Sequence, residues 1–254
     1  MQSIVPLHGF GGVPYSAVRK AVPRNLLDNS DFTNLVAQAG IGGNHGTVAY
    51  AADRWILDSG TVSYEAGVGL TLNGTIRQRL EFPPTGETSV FVGMASGEAS
   101  ISCADGAVTI TSSGGVLKWA ALYAGVYTDA TMPDYHPKGY GAELAECQRY
   151  YVWFDRYLSN GLLTSSATNY YMPISLPVAM RCQPTATSSG WIGRISTGYS
   201  KHTGSTKKAF NSLWISDFNG CRLSVCDSIS TATDANNINV SFMVYDLEFC
   251  ADIL

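Results

Sequence analysis

Apolar and polar residues alternate in short stretches from Asn25 to about Tyr127, and Gly-, Pro- or Asn-rich segments separate them. Residues 61–65, 69–73, 75–82, 89–92, 107–111 and 116–123 each read as a strand with one buried and one wetted face. Asn73-Gly74 and Ser113-Gly114-Gly115 read as turns between them. Short strands at this spacing predict a jelly-roll β-sandwich over residues 25–128 rather than a parallel α/β sheet.

The period changes at Tyr140. Leu144, Cys147, Tyr151 and Phe154 recur at helical spacing, which predicts a connecting amphipathic helix over residues 140–154. Glu143 and Glu146 fall early in it and Arg149 and Arg156 late, as the helix dipole favours. Pro133 and Pro137 keep the preceding chain extended, so residues 129–158 are expected to form a linker and helix. Tyr150, Tyr151, Trp153, Phe154 and Tyr157 would then ring the second half of the helix. Such a surface is buried either between subunits, making these residues an oligomer interface, or between two domains of one chain.

Residues 159–254 return to alternation and predict a C-terminal antiparallel β domain. Its expected strands are 169–174, 185–189, 191–196, 210–215, 221–226 and 239–249. Residues 1–24 differ from everything after them: they are rich in Gly and Pro and show no sustained period. They read either as a frayed end or as an arm that orders against a partner through Ile4, Val5, Leu7 and Phe10.

Composition narrows the function. Only 14% of the 254 residues are charged, against roughly 25% in typical soluble chains, so Ser, Thr, Asn and Gly must wet the surface. A net charge of −4 argues against tracking of nucleic-acid phosphates. No apolar run reaches the roughly 20 residues of a membrane-spanning helix, and no membrane insertion is expected. The opening residues lack the pattern of a secretory signal, so the six cysteines are expected to be free thiols made in a reducing cytosol.

The search for chemistry is mostly negative. The sequence has no G-x-S-x-G, H-E-x-x-H or Walker lysine loop. Gly40-Ile41-Gly42-Gly43-Asn44-His45-Gly46 does not fit a phosphate cradle and reads as a flexible surface loop. The four histidines share no metal-ligand spacing. Asp53, Asp58, Glu65 and Glu81 read as turn, cap or surface-pair residues. No catalytic residue, metal or cofactor is therefore expected. Residues 190–210 stand apart, because 196–208 hold no aliphatic side chain. Trp191, Tyr199, Lys201, His202, Lys207 and Lys208 offer stacking faces and donors there. They read either as a solvated loop or as a recognition tip for an acidic or hydroxyl-rich ligand.

Several motifs, taken in order, resemble bacteriophage tail-fibre and receptor-binding proteins. Pro23-Arg24-Asn25-Leu26-Leu27-Asp28-Asn29-Ser30-Asp31-Phe32, then Ala52-Asp53-Arg54-Trp55 and Arg77-Gln78-Arg79-Leu80-Glu81, resemble the opening of their jelly-roll domains. Residues 143–151 resemble their E-L-x-x-C-Q-R-Y helix, 173–185 the stretch that follows it, and 246–254 their terminal strand. The resemblance implies a sandwich like carbohydrate-binding modules, a connecting helix and a distal β domain, assembled as a homo-oligomer, commonly a trimer. It implies no catalytic residue. The expected protein is a short tail or head fibre of the virion, assembled in the bacterial host cytoplasm. Its arm would meet other virion proteins, and its C-terminal domain would bind host cell-surface glycan. A capsid decoration or baseplate adaptor without a receptor, and a polysaccharide depolymerase, are the competing expectations.

Overall fold

The computed structural model describes residues 23–45, 48–163, 169–197, 200–203, 214–228 and 239–251. The alternation seen in the sequence produces a mainly β chain with one short helix among these residues. The first sheet contains β1 (Asn44–His45), β2 (Val48–Ala52), β3 (Trp55–Glu65), β4 (Gly69–Arg79), β5 (Thr88–Ser96), β6 (Ala99–Ala104) and β7 (Ala107–Ala124). Its order is β1-β2-β3-β4-β7-β5, every pair is antiparallel, and β6 continues the line of β5 along β7.

Asn73-Gly74 and Ser113–Gly115, expected to turn the chain, instead lie inside β4 and β7 at a bulge. Gly60 faces Gly74 across the ladder. A Cβ on Gly60 would sit 1.9 Å from the Asn73 carbonyl oxygen, and one on Gly74 would sit 2.1 Å from that of Ser59. Two backbones approach here more closely than any side chain allows, so glycine marks contact rather than reversal. The bulge also resets the alternation along β7. Val108 and Ile110 are buried before it and Leu117 after it, which keeps one face inward. That face packs with Leu27, Phe32 and Leu35 from the segment ahead of β1 and with Trp55, Leu70, Leu72 and Ile76, forming the core.

Beyond it come α1 (Tyr140–Gln148), β8 (Tyr151–Leu163), β9 (Asn169–Ser175), β10 (Thr185–Thr187), β11 (Gly190–Thr197), β12 (Ser200–Thr203), β13 (Trp214–Asn219), β14 (Arg222–Ser228) and β15 (Asn239–Cys250). The strands form a second antiparallel sheet in the order β12-β11-β15-β8-β9-β14-β13, with β10 beside β15.

The helix is shorter than its periodicity predicts. It ends at Gln148, and Tyr151, Trp153, Phe154 and Tyr157 lie on β8, paired with β15 from Tyr151↔Cys250 onward. A run of aromatic and β-branched residues favours a pleated surface, and pairing with β15 overrides the helical spacing. The helix buries Glu143 and Cys147 in place of the expected four-residue stripe. The second sheet therefore starts at Tyr151, not at residue 159, and the linker and helix end at Tyr150.

No helix among the described residues is long and apolar enough to cross a membrane. Among the described residues, Cys103, Cys147, Cys182 and Cys221 are free thiols.

Candidate functional site

The seam between the two sheets gathers ionisable residues of the first sheet, of the linker and helix, and Arg181. Asn29 begins it. Its backbone takes a left-handed φ of 50°, a conformation asparagine tolerates. Its side-chain amide donates to the Val36 carbonyl (2.8 Å) and the Asp53 carbonyl (2.7 Å), and its oxygen accepts the Val36 N–H (2.9 Å). The Trp55 indole donates to the Asn29 carbonyl at 2.9 Å. The Asn29 N–H then donates to the Glu143 carboxylate at 2.6 Å, tying α1 to the first sheet.

Arg54 crosses next. Its side chain is 3% exposed and its guanidinium lies 3.6 Å from the centre of the Tyr150 ring. It also donates to the Arg79 carbonyl (2.8 Å) and faces Asp28 at 3.3 Å. A planar cation suits this place, because it can stack on a ring and donate in its own plane together. Glu81 accepts the Tyr150 hydroxyl at 2.6 Å and pairs with Arg149 (3.1 Å) and Arg181 (3.7 Å). Lys138 bonds Glu146, donates to the Leu27 carbonyl (3.1 Å), and stands 3.6 Å from Asp28 and 3.9 Å from Glu143.

Deeper in the seam, the His45 ring is held between Tyr50 at 3.9 Å and Tyr151 at 3.6 Å, beside Asp53. Gln38 donates to both Asp53 (2.6 Å) and the Tyr151 carbonyl (2.8 Å). Burial pushes the Glu143 carboxyl up, against the opposing pull of Lys138. Burial also raises the Tyr150 and Tyr151 hydroxyls and the Cys147 thiol. Cys147 is therefore held as an unreactive thiol rather than a nucleophile.

Two recesses open on the outer side of the seam and share Arg24 as a wall. The larger, about 500 Å³, lies between Tyr123, Asp134, His136 and Lys138. The smaller, about 290 Å³, lies between Phe82, Glu81, Glu146, Arg149 and Tyr150. Among the described residues no cluster of His, Cys, Asp or Glu could hold a metal ion.

No family model matches the sequence, and no curated protein or solved structure matches it either.

The residues expected to form an oligomer interface separate. Tyr150 and Tyr151 are buried within the chain, at 2% and 1% exposure, and the seam occupies them. They are corrected to intrachain joints, because partners on the first sheet already cover them. Trp153, Phe154 and Tyr157 are half-buried on β8, and Phe154 packs against Tyr157 and Phe249. Trp191 lies on β11, and Lys201 and His202 on the adjoining β12, so the backbone brings these three to one hairpin. Tyr199, Lys207 and Lys208 lie outside the described residues, as do Ile4, Val5, Leu7 and Phe10.

Sequence reasoning passed over the seam. The segment around His45 was expected to be a surface loop, yet β1 and the buried ring anchor it. Glu81 is a cross-sheet anchor rather than a surface pair, whereas Asp58 does pair with Arg77 at 2.9 Å near the surface. One signal was available: a charged pair, Asp53-Arg54, directly ahead of Trp55 inside an otherwise apolar stretch. All three are buried.

Proposed function

We propose that this chain is a structural virion protein, a short tail or head fibre, whose residues 1–24 attach to the particle. In this reading it assembles as a homo-oligomer, a trimer, and its C-terminal sheet binds host-surface glycan. The supporting observation is the seam, where Arg54 stacks on Tyr150 and Glu81 bonds Tyr150 and pairs with Arg149 and Arg181, tying the first sheet to the chain that enters the second. Arg54, 3% exposed, holds the Tyr150 ring, the Arg79 carbonyl and Asp28 at once, so the joint is specific in its geometry. That suits a passive part that transmits force between an attachment point and a surface. The Trp191, Lys201 and His202 hairpin supplies a stacking group and donors in a chain otherwise poor in charge.

The test is an array of bacterial surface polysaccharides probed with the labelled full-length chain. Retention is expected on at least one polysaccharide, falling about tenfold or more when Lys201, Lys207 and Lys208 are changed together to alanine. Retention that this triple variant leaves unchanged removes the tip from the reading. Failure to bind any polysaccharide leaves a capsid decoration or baseplate adaptor, and release of reducing sugar makes the chain a depolymerase.

A further inference from the structure

We propose that the open edge of β5 docks the same edge of a second copy of this chain, the two strands pairing antiparallel about a two-fold axis at Val90. This edge lies at the end of the first sheet opposite β1. It rests neither on the 190–208 region nor on the threefold assembly of the proposed function.

The ladder fixes which backbone groups are open. Among the described residues β5 pairs with β7 alone, with Val90 opposite Leu122 and Val92 opposite Ala120. The Leu122 N–H donates to the Asn25 side-chain oxygen (2.9 Å), and the Leu122 carbonyl accepts the Leu26 N–H (2.9 Å). The Ala120 N–H donates to the Ser30 carbonyl (3.0 Å), and the Ala120 carbonyl accepts the Asn25 amide (3.0 Å). All four bonds leave β7 on the side away from β5. Residues directly opposite in an antiparallel ladder share one pattern, so Val90 and Val92 turn their own N–H and C=O away from β7. Thr88, opposite Ala124, does the same, because the Gly125 N–H bonds the Glu87 carbonyl (2.8 Å) around that pair. Three alternate residues thus present donors and acceptors that no other described backbone meets.

The side chains select a second copy as the occupant. Val90, Val92 and Met94 pack against the core of the first sheet yet stay half-buried, because no strand lies beyond β5 to cover them. Residues 88–97 contain no charge and no proline, the usual devices that keep a sheet edge single. An identical edge can therefore approach without repulsion. With Val90 opposite Val90, Thr88 falls opposite Val92, and every open N–H meets an open C=O of the other copy. Val90 and Val92 gain β-branched cross-strand neighbours over the core, and Phe91 meets Ser89 on the outer face. The matched stretch ends at Gly93, where the pairing with β7 becomes irregular. An edge this short buries less than the roughly 800 Å² per partner of a standard interface, so the pairing is expected to depend on concentration.

The experiment is sedimentation equilibrium of the full chain from about 5 to about 500 μM, joined to amide hydrogen exchange at both ends of that range. The mass is expected to double across it, and exchange at Thr88, Val90 and Val92 to slow several-fold at the higher concentration. Val90→Pro removes an N–H that β7 does not use, a change edge strands tolerate, and should hold the lower mass throughout. Val90→Thr keeps that N–H and should still double. A mass independent of concentration, or a doubling that Val90→Pro leaves intact, would overturn the edge. Should Val90→Pro not fold, exchange in the parent decides: rates at the three amides that do not change with concentration overturn it. Where the threefold assembly forms, the same pairing takes a trimer to twice its mass, so failure of that assembly and failure of this edge read differently.

Discussion

The rings of His45 and Tyr151 lie 3.6 Å apart and within 3° of parallel, although one residue belongs to the first sheet and the other opens the second. Tyr50 closes the other side of the imidazole at 3.9 Å, so three rings form one buried column through the seam. Tyr151→Ala should cost about 3–5 kcal/mol, the usual loss for a large buried ring. Tyr151→Phe keeps the column and should cost about 1 kcal/mol or less. Urea denaturation followed by circular dichroism reads both values, and equal losses in the two variants would refute the stacking role.

Two glycines separate close approach from simple conformational need. Gly60 and Gly67 both have left-handed φ, at 89° and 79°, but only Gly60 meets a neighbour. Gly67→Ala should cost about 1–2 kcal/mol through its backbone alone. Gly60→Ala adds the clash with the Asn73 carbonyl and should cost more than about 3 kcal/mol, or yield insoluble protein. Thermal melts of the pair test the difference.

Glu143 sets a pH dependence with a definite sign. Burial raises its folded-state pKa above the unfolded value. Its contribution to stability is therefore fully present below the unfolded pKa and is lost as pH rises through the folded one. Glu143→Gln keeps an oxygen for the Asn29 N–H but carries no charge to desolvate. Relative to the parent, this variant should gain stability between about pH 4 and about pH 7. Urea midpoints at the two pH values check it, and a parallel shift of both proteins would disprove the assignment.

Arg54→Lys tests whether the seam needs a planar cation. An ammonium cannot both stack on Tyr150 and donate to the Arg79 carbonyl in one plane. The lysine variant should lose about 2 kcal/mol and Arg54→Ala about 3–5 kcal/mol, because alanine leaves Asp28 without this partner. Losses below about 0.5 kcal/mol in both would show that the ring contact is incidental.

The β class and most strand positions were legible because alternation is a local signal. In the second sheet β9, β11, β14 and β15 lie within a residue or two of their sequence limits. Misreadings arose where distant partners decide. The aromatic run from Tyr150 has helical spacing on paper but finds β15 in space. Asn73-Gly74 has the composition of a turn, and only the facing Gly60 reveals a close crossing. The seam was hidden because its members are dispersed: Asn29, Arg54, Glu81 and Glu143 meet only once both sheets exist. Two of the motifs behind the resemblance fall at this joint, where Asp53, Arg54, Trp55, Glu143 and Tyr150 are buried.

β15 occupies the interior of the second sheet, bonded to β8 along one edge and to β10 and β11 along the other. Residues 239–250 therefore divide that sheet into two flaps that cannot find each other beforehand. A growing polypeptide can finish its first sheet on the ribosome. The second must wait as an open template until its keystone has emerged from the exit tunnel, and a chaperone would find its edges exposed during that interval.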